Sequence, residues 1–204
     1  MKRVDGWWFP DQEAHIFKVM ELHALWMNGR LAYQAMKQIK FIELCTSRRA
    51  VIDIGAHVGL WSYNLKYVFD NVYAFEPVEE HRECFRKNVE GVELYECALG
   101  DSSRFVSMKT TYGSSGDTYV DRDGNIPMKR LDDFKFDGID AIKMDCQGYE
   151  SKIIDGAMDT IIRNHPVMVI EEKHGTEAVD KLKKLGYKVD SVINGDHFLT
   201  WVQQ

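Results

Sequence analysis

Short apolar or β-branched runs recur along the chain at residues 50–54, 72–75, 92–95, 141–144 and 167–170. Between and after them lie stretches with helical spacing of apolar positions, at 60–69, 79–90, 149–162 and 176–185. Strands that alternate with helices in this way predict a mostly parallel sheet covered on both faces, an α/β fold. The tail breaks the alternation. Two strand-like runs, 187–193 and 197–202, flank Asn194-Gly195, and Asn-Gly between such runs signals a hairpin, so the sheet should finish with an antiparallel pair. Ahead of the first strand, Ile16, Val19, Met20, His23 and Met27 form a helical stripe that stops at Asn28-Gly29, and 31–44 reads as a second helix. The expected organisation is therefore an N-terminal helical extension over 1–47 and one domain over 48–204.

Composition narrows the class. With 204 residues, 45% hydrophobic and 28% charged, the chain can bury one good core and is too short for two ordinary domains. No run approaches the roughly 18 apolar residues of a membrane span, and the basic start has no apolar stretch behind it. A soluble protein without a membrane partner is expected. Cys45, Cys84, Cys97 and Cys146 form no C-x-x-C pair, which fits a reducing cytoplasm better than a disulfide or zinc framework. The net charge of −6 disfavours a nucleic-acid partner.

Chemistry concentrates in V-I-D-I-G-A-H-V-G at 51–59. An apolar run stops at an acid, turns on glycine and restarts as a helix. Glycine can take φ > 0, which allows a ligand to approach main-chain amides at a helix N-terminus. The dinucleotide signature G-x-G-x-x-G needs glycine where Asp53 stands, so it fails at its first position. In an open α/β sheet, ligands bind beyond the carboxyl ends of the strands. Those ends carry Asp53, Glu76, Cys97-Ala98, Asp145 and Glu171-Glu172. A carboxylate such as Glu76 can accept hydrogen bonds from both hydroxyls of a ribose. Ala98 leaves room for an adenine ring, and Asp53 can face the cationic end of a cofactor.

D-x-G-x-x-x-G is the turn of S-adenosylmethionine (SAM) methyltransferases, and the ordered motifs make the resemblance specific. The chain resembles the FkbM family of SAM-dependent methyltransferases in D-I-G-A-H-V-G at 53–59, F-E-P at 75–77, Asn88, A-L-G-D at 98–101, L-D-D-F at 131–134, I-D-A-I-K-M-D-C-Q-G-Y-E at 139–150, D-G-A at 155–157 and P-V-M-V-I-E-E at 166–172. The resemblance implies a Rossmann-like class I methyltransferase fold, a seven-stranded sheet ending in an antiparallel hairpin. It implies SAM as cofactor, with contacts from Asp53, Gly55, Ala56, His57, Gly59, Glu76, Pro77, Cys97, Ala98 and Asp145. It also implies methylation of a hydroxyl on a small molecule or carbohydrate. One position departs from the family, Gln147 in place of the usual glutamate; an amide keeps hydrogen bonding but cannot act as a base or a charged metal ligand.

Methyl transfer to oxygen requires the nucleophile, methyl and sulfur in line and a group to take the hydroxyl proton. Asp145 is the first candidate for positioning the hydroxyl or accepting its proton. Lys143 shares its strand face and can hold it ionised. Glu171, Glu172 and His174 supply the candidates for the facing wall, and no metal site is expected. Glu150 is a helix N-terminal acid as readily as a functional one. Ser114 and Ser115 match a serine-bearing substrate loop of the family. D-R-D-G-N at 121–125 lacks calcium-loop spacing and reads as a hairpin turn at Asp123-Gly124. His57 is a proton acceptor near the cofactor or a side chain facing solvent. The aromatic set Trp7, Trp8, Phe9, Trp26 and Tyr33 fits core packing or a homodimer contact better than a lid. Two alternatives stand beside the small-molecule enzyme. An RNA ribose 2′-O-methyltransferase would use a Lys-Asp-Lys-Glu set, of which Lys40, Asp145 and Lys173 supply three, against the acidic charge balance. A SAM-binding scaffold without activity has Gln147 as its support.

Overall fold

The five apolar runs become parallel strands of one seven-stranded sheet in the computed structural model, which describes residues 1–172 and 176–202. Along the chain its strands are β1 (Ala50–Ile54), β2 (Asn71–Phe75), β3 (Glu93–Tyr95), β4 (Ala141–Met144), β5 (Val167–Glu171), β6 (Tyr187–Ile193) and β7 (Asp196–Trp201). They lie in the order β6-β7-β5-β4-β1-β2-β3. β1 and β4 are buried along their whole length, as central strands covered on both faces must be. β7 runs antiparallel to β5 and β6, and its turn has φ of 48° at Asn194 and 87° at Gly195, as a two-residue hairpin requires. Strand order reverses between β1 and β4, which opens a crevice beyond their carboxyl ends.

Helices follow the predicted alternation with two local differences. Only Ser62–Leu65 of the first is regular α-helix. The helix expected over 149–162 is split into Glu150–Asp155 and Met158–Asn164. At the break, a Cβ on Gly156 would stand 1.9 Å from the Gly100 carbonyl oxygen, so the chain uses glycine to press against the backbone that leaves β3.

The polar segment after β3 is strand rather than loop. Ala98–Leu99, Ile126–Lys129 and Arg104–Val106 form a three-stranded sheet, and Met108–Thr111 pairs with Ser114–Val120 as a separate hairpin. Asp123-Gly124 is therefore not a hairpin turn: the strands on either side of it pair with other partners. Gly124 answers a different demand, because a Cβ there would lie 2.6 Å from the Ser107 nitrogen and the Val106 oxygen.

The N-terminal 47 residues are less helical than expected. Short hairpins, Lys2–Val4 with Trp7–Phe9 and Trp26–Met27 with Arg30–Leu31, accompany helices Ile16–His23 and Ala35–Leu44. Trp7, Phe9, Ile16, Met20 and Leu31 share one buried cluster with Ala56, Val58, Leu60 and Phe85, so this segment builds core directly against the glycine turn. Asn88 fixes the contact: its Oδ1 accepts from the Trp8 amide at 2.7 Å, and its Nδ2 donates to the carbonyls of Trp8 and Val58 at 2.9 and 2.8 Å. Of the aromatic set, Trp7 and Phe9 are core, Tyr33 is half-buried and Trp26 is exposed. Among the described residues no helix is long and apolar enough to cross a membrane.

Candidate active site

The turn after β1 holds itself together with its own amides. Gly55 and Ala56 donate to the Phe75 carbonyl at 3.1 and 3.0 Å, Gly59 donates to the Ala56 carbonyl at 2.9 Å, and the His57 amide donates to Glu76 Oε2 at 2.8 Å. These four N–H groups are therefore engaged within the chain, which corrects the expectation that they await a ligand. Gly55 is needed for another reason. Its φ is 73°, and a Cβ would stand 2.0 Å from the Asp145 carbonyl oxygen, so the ends of β1 and β4 close on one another only across a glycine. Gly59 is likewise a packing residue: a Cβ would meet Val89 Cγ2 at 2.5 Å, and it borders neither cleft described below.

Beneath the turn, neighbouring strands place Asp53 and Lys143 directly opposite in register. Lys143 Nζ lies 3.0 Å from Asp53 Oδ1 and 2.7 Å from the Gly55 carbonyl, and Ser62 Oγ donates to Asp53 Oδ2 at 2.6 Å. Asp53 is fully buried. It does not face a cofactor, as the sequence suggested; it neutralises a lysine inside the sheet. Burial works against the charge of Lys143, but the carboxylates of Asp53 and Asp145 outweigh it and hold the ammonium above the ordinary lysine range. Lys143 thus stays cationic, paired with Asp53 and also felt by the Asp145 carboxylate.

Two clefts open above this pair. The first spans about 550 Å³, open solvent at its mouth included, and is lined by Phe75, Cys97, Ala98, Leu99 and Ile153 together with Glu76, Pro77 and His81. Burial raises the Cys97 thiol to about 11, so it presents a neutral wall. The second, about 860 Å³, is lined by Tyr33, Leu60 and Trp61 on an aromatic and apolar side and by Asp117, Gln147 and Glu171 on a polar one, with Ala56 and Lys143 also bordering it. Burial first, then Asp145, Glu171 and more distant acids, raises the Tyr33 phenol above its usual range, which keeps it a neutral donor. Gly55, His57, Gly116 and Asp145 border both clefts and so mark the seam where material in one meets material in the other.

Several assignments sort themselves by this geometry. Glu76, Pro77, Cys97 and Ala98 meet in the first cleft, Ala56, Lys143 and Glu171 in the second, and Gly55, His57 and Asp145 at the seam. His174 lies outside the described residues, as does Lys173. Glu150 accepts the Cys146 amide at 2.7 Å and borders neither cleft; it serves the helix start. Lys40 pairs with Asp190 at 2.7 Å and borders neither cleft, so no Lys-Asp-Lys-Glu set is assembled from it. His57 does not project into solvent: its ring packs edge-on to His81 with centroids 4.5 Å apart. His81 itself was missed in the sequence, although it falls in the first turns of the helix after Glu76, within reach of that carboxylate.

The methyltransferase FkbM domain matches residues 53–189, more than half of the chain. The chain belongs to the FkbM methyltransferase family. The solved structure of an FkbM methyltransferase from Methylobacillus flagellatus superposes with a TM-score of 0.53 at 20% identity, covering 76% of this chain and 44% of that one; this chain thus spans less than half of that protein. Precorrin-6y C5,15-methyltransferase from Geobacter metallireducens gives 0.54 at 15% identity, with 87% and 90% covered. The ribosomal protein L11 methylase from Lactobacillus delbrueckii gives 0.52 at 10%, with 83% and 78% covered. At such identities these likenesses describe the fold, a class I methyltransferase sheet. No curated protein sequence matches the chain.

FkbM methyltransferases use SAM, and the donor set of the first cleft fits that cofactor. Each Glu76 oxygen accepts one backbone amide, from His57 and from Val78, both at 2.8 Å. A carboxylate has about four lone-pair sites. The remaining contact, to His81 Nδ1, is a long 3.3 Å, so capacity for a ribose diol remains, and Ala98 and Leu99 offer an apolar wall for an adenine. In this FkbM protein Gln147 Nε2 donates to Asp145 Oδ1 and to Glu171 Oε2, both at 2.8 Å, and thereby links the ends of β4 and β5. Gln147→Glu replaces the shared donor with a third carboxylate. We expect it to lower stability by about 1–3 kcal/mol at pH 7. Crowded carboxylates have raised folded-state pKa values, so the deficit should shrink as pH falls towards 5. Chemical denaturation of both proteins at the two pH values measures this, and an equal deficit at both would show that repulsion is not the cause.

Proposed function

We propose that the chain transfers the methyl group of SAM to a hydroxyl oxygen of a small, polar acceptor, with carbohydrates as the favoured class. The observation that carries this is the seam: an apolar cleft with a carboxylate suited to ribose meets a wider, acid-lined cleft at Asp145 and His57. SAM bound in the first cleft supplies an electrophilic methyl there. Glu76 holds the ribose and Cys97, Ala98 and Leu99 pack the base. Asp145 balances positive charge at the seam and orients the acceptor, itself oriented by Gln147. In the second cleft, Asp117 and Glu171 suit hydroxyl donors while Tyr33 and Trp61 suit the apolar face of a ring. Lys40, engaged with Asp190, is not available to an RNA backbone.

Calorimetric titration with SAM and with S-adenosylhomocysteine, followed by transfer from labelled SAM to a panel of monosaccharides and phenols, tests the proposal. Micromolar binding and label in a hydroxylated product are expected. Absence of cofactor binding would overturn it, and binding without transfer to any hydroxyl would favour a scaffold. Glu76→Gln should weaken cofactor binding about ten- to hundred-fold, the loss of roughly 1.5–3 kcal/mol of charge-assisted hydrogen bonding. Unaltered affinity would remove Glu76 from the ribose.

A further inference from the structure

Glu13, Ser115 and His57 form a buried polar chain from the N-terminal extension to the seam. Glu13 and Ser115 are both fully buried. The Ser115 amide donates to Glu13 Oε2 at 2.7 Å and its hydroxyl to the same oxygen. The other oxygen, Oε1, accepts the His15 and Ile16 amides at 2.6 and 2.7 Å. Burial disfavours the charge of Glu13, but these bonds, Ser115 Oγ foremost, outweigh it and hold the carboxyl below its usual range. An ionised carboxylate only accepts, so the Ser115 hydroxyl must point its proton at Glu13. His57 Nε2 lies 2.8 Å from that same Oγ, whose remaining role is acceptor. The imidazole therefore carries its proton on Nε2. Nδ1 is left with a bare lone pair, and no hydrogen bond to it is formed among the described residues.

We propose that His57 is the general base of the methyl transfer, accepting the acceptor's hydroxyl proton on Nδ1, with Ser115 and Glu13 as positioning residues that fix its tautomer. This rests on the methyl-transfer function proposed above. The acceptor hydroxyl gives a lone pair to the methyl carbon, leaving the C–S electron pair on sulfur, and gives its proton to Nδ1. The resulting imidazolium keeps its Nε2–H on Ser115, whose own O–H reaches the Glu13 charge, and it returns to neutral by releasing the proton to water. Asp145 is assigned the orienting part instead, because its Oδ1 already accepts from Gln147 Nε2.

The state of the ring suits the role. Burial, then His81 and Lys143, push the His57 imidazole well below its ordinary value; the acids near it, Glu13, Glu76 and Asp145, do not reverse this. The base is thus in its neutral, proton-accepting form at pH 7, and the acid limb of kcat should fall below the unperturbed imidazole value of about 6.5. Two measurements decide. Nitrogen-15 NMR of the S-adenosylhomocysteine complex, which needs no acceptor, should show a protonated Nε2 and a bare Nδ1 at pH 7, with Ser115→Ala giving shifts averaged between tautomers. A protonated Nδ1 would overturn the proposal. His57→Gln places an amide donor where Nε2 stood, so the contact to Ser115 is kept while Nδ1 is lost. With the acceptor that the hydroxyl panel yields, kcat should fall about 10²- to 10³-fold, far more than cofactor affinity changes. Wild-type kcat in His57→Gln would show that the chain is only a clasp. Failure of the wild-type protein to bind SAM would instead strike at the proposed function itself.

Discussion

Gly55→Ala should cost about 2–6 kcal/mol of stability and abolish cofactor binding. Two effects add. A non-glycine residue at φ 73° stores roughly 1–3 kcal/mol of backbone strain, and a methyl 2.0 Å from the Asp145 carbonyl oxygen forces an overpacking shift of similar size. The obstacle is backbone, so no rotamer change relieves it. The strands must part, and Asp145 moves with them. Gly29 provides the control: its φ is 80°, yet nothing lies within 4 Å of its Cβ position, so Gly29→Ala carries the strain alone. Guanidinium denaturation and calorimetric titration of both variants test this. Equal losses would mean that the contact between β1 and β4 has no part in the effect.

Lys143→Met should destabilise the protein by about 3–5 kcal/mol, the usual penalty for leaving a buried charge without its partner. Asp53 would keep its bond from Ser62 but lose the ammonium, and the Gly55 carbonyl would lose a donor. The deficit should narrow in acid, because a carboxylate stranded in the core has a raised pKa and folding then favours its neutral form. Combining Lys143→Met with Asp53→Asn should recover much of the loss, since neutral replacement of both members of a buried pair is far milder than removal of one. Denaturation midpoints for the two single variants and the double variant give the coupling. Strict additivity would show that the charges do not depend on each other.

Both residues illustrate which parts of the molecule could be read in advance. β1, β2, β4 and β5 announce themselves as apolar runs, and Asn194-Gly195 announces the closing hairpin. Strands of two or three residues, such as Trp26–Met27 and Arg30–Leu31, are too short to show any period, so the N-terminal segment read as purely helical. At the site, a strand-end acid looks alike whether it faces a ligand or a lysine, and the sequence around Asp53 does not separate the two. A signal existed: Lys143 stands inside a strand whose neighbours are all apolar, and such a charge demands a counter-charge on an adjoining strand. Glu13 had no comparable signal. A single acid in an irregular stretch acquires meaning only when the fold carries Ser115 to it across 102 positions of sequence.

The self-satisfied turn after β1 has a bearing on selection among adenosine compounds. ATP, AMP and NAD would each bring phosphate oxygens towards a turn whose four N–H groups are already engaged and towards the Glu76 carboxylate. A nucleoside bearing a neutral or positive substituent meets no such opposition. A phosphate-bearing adenosine would thus be disfavoured there by the engaged N–H groups of the turn together with the Glu76 carboxylate.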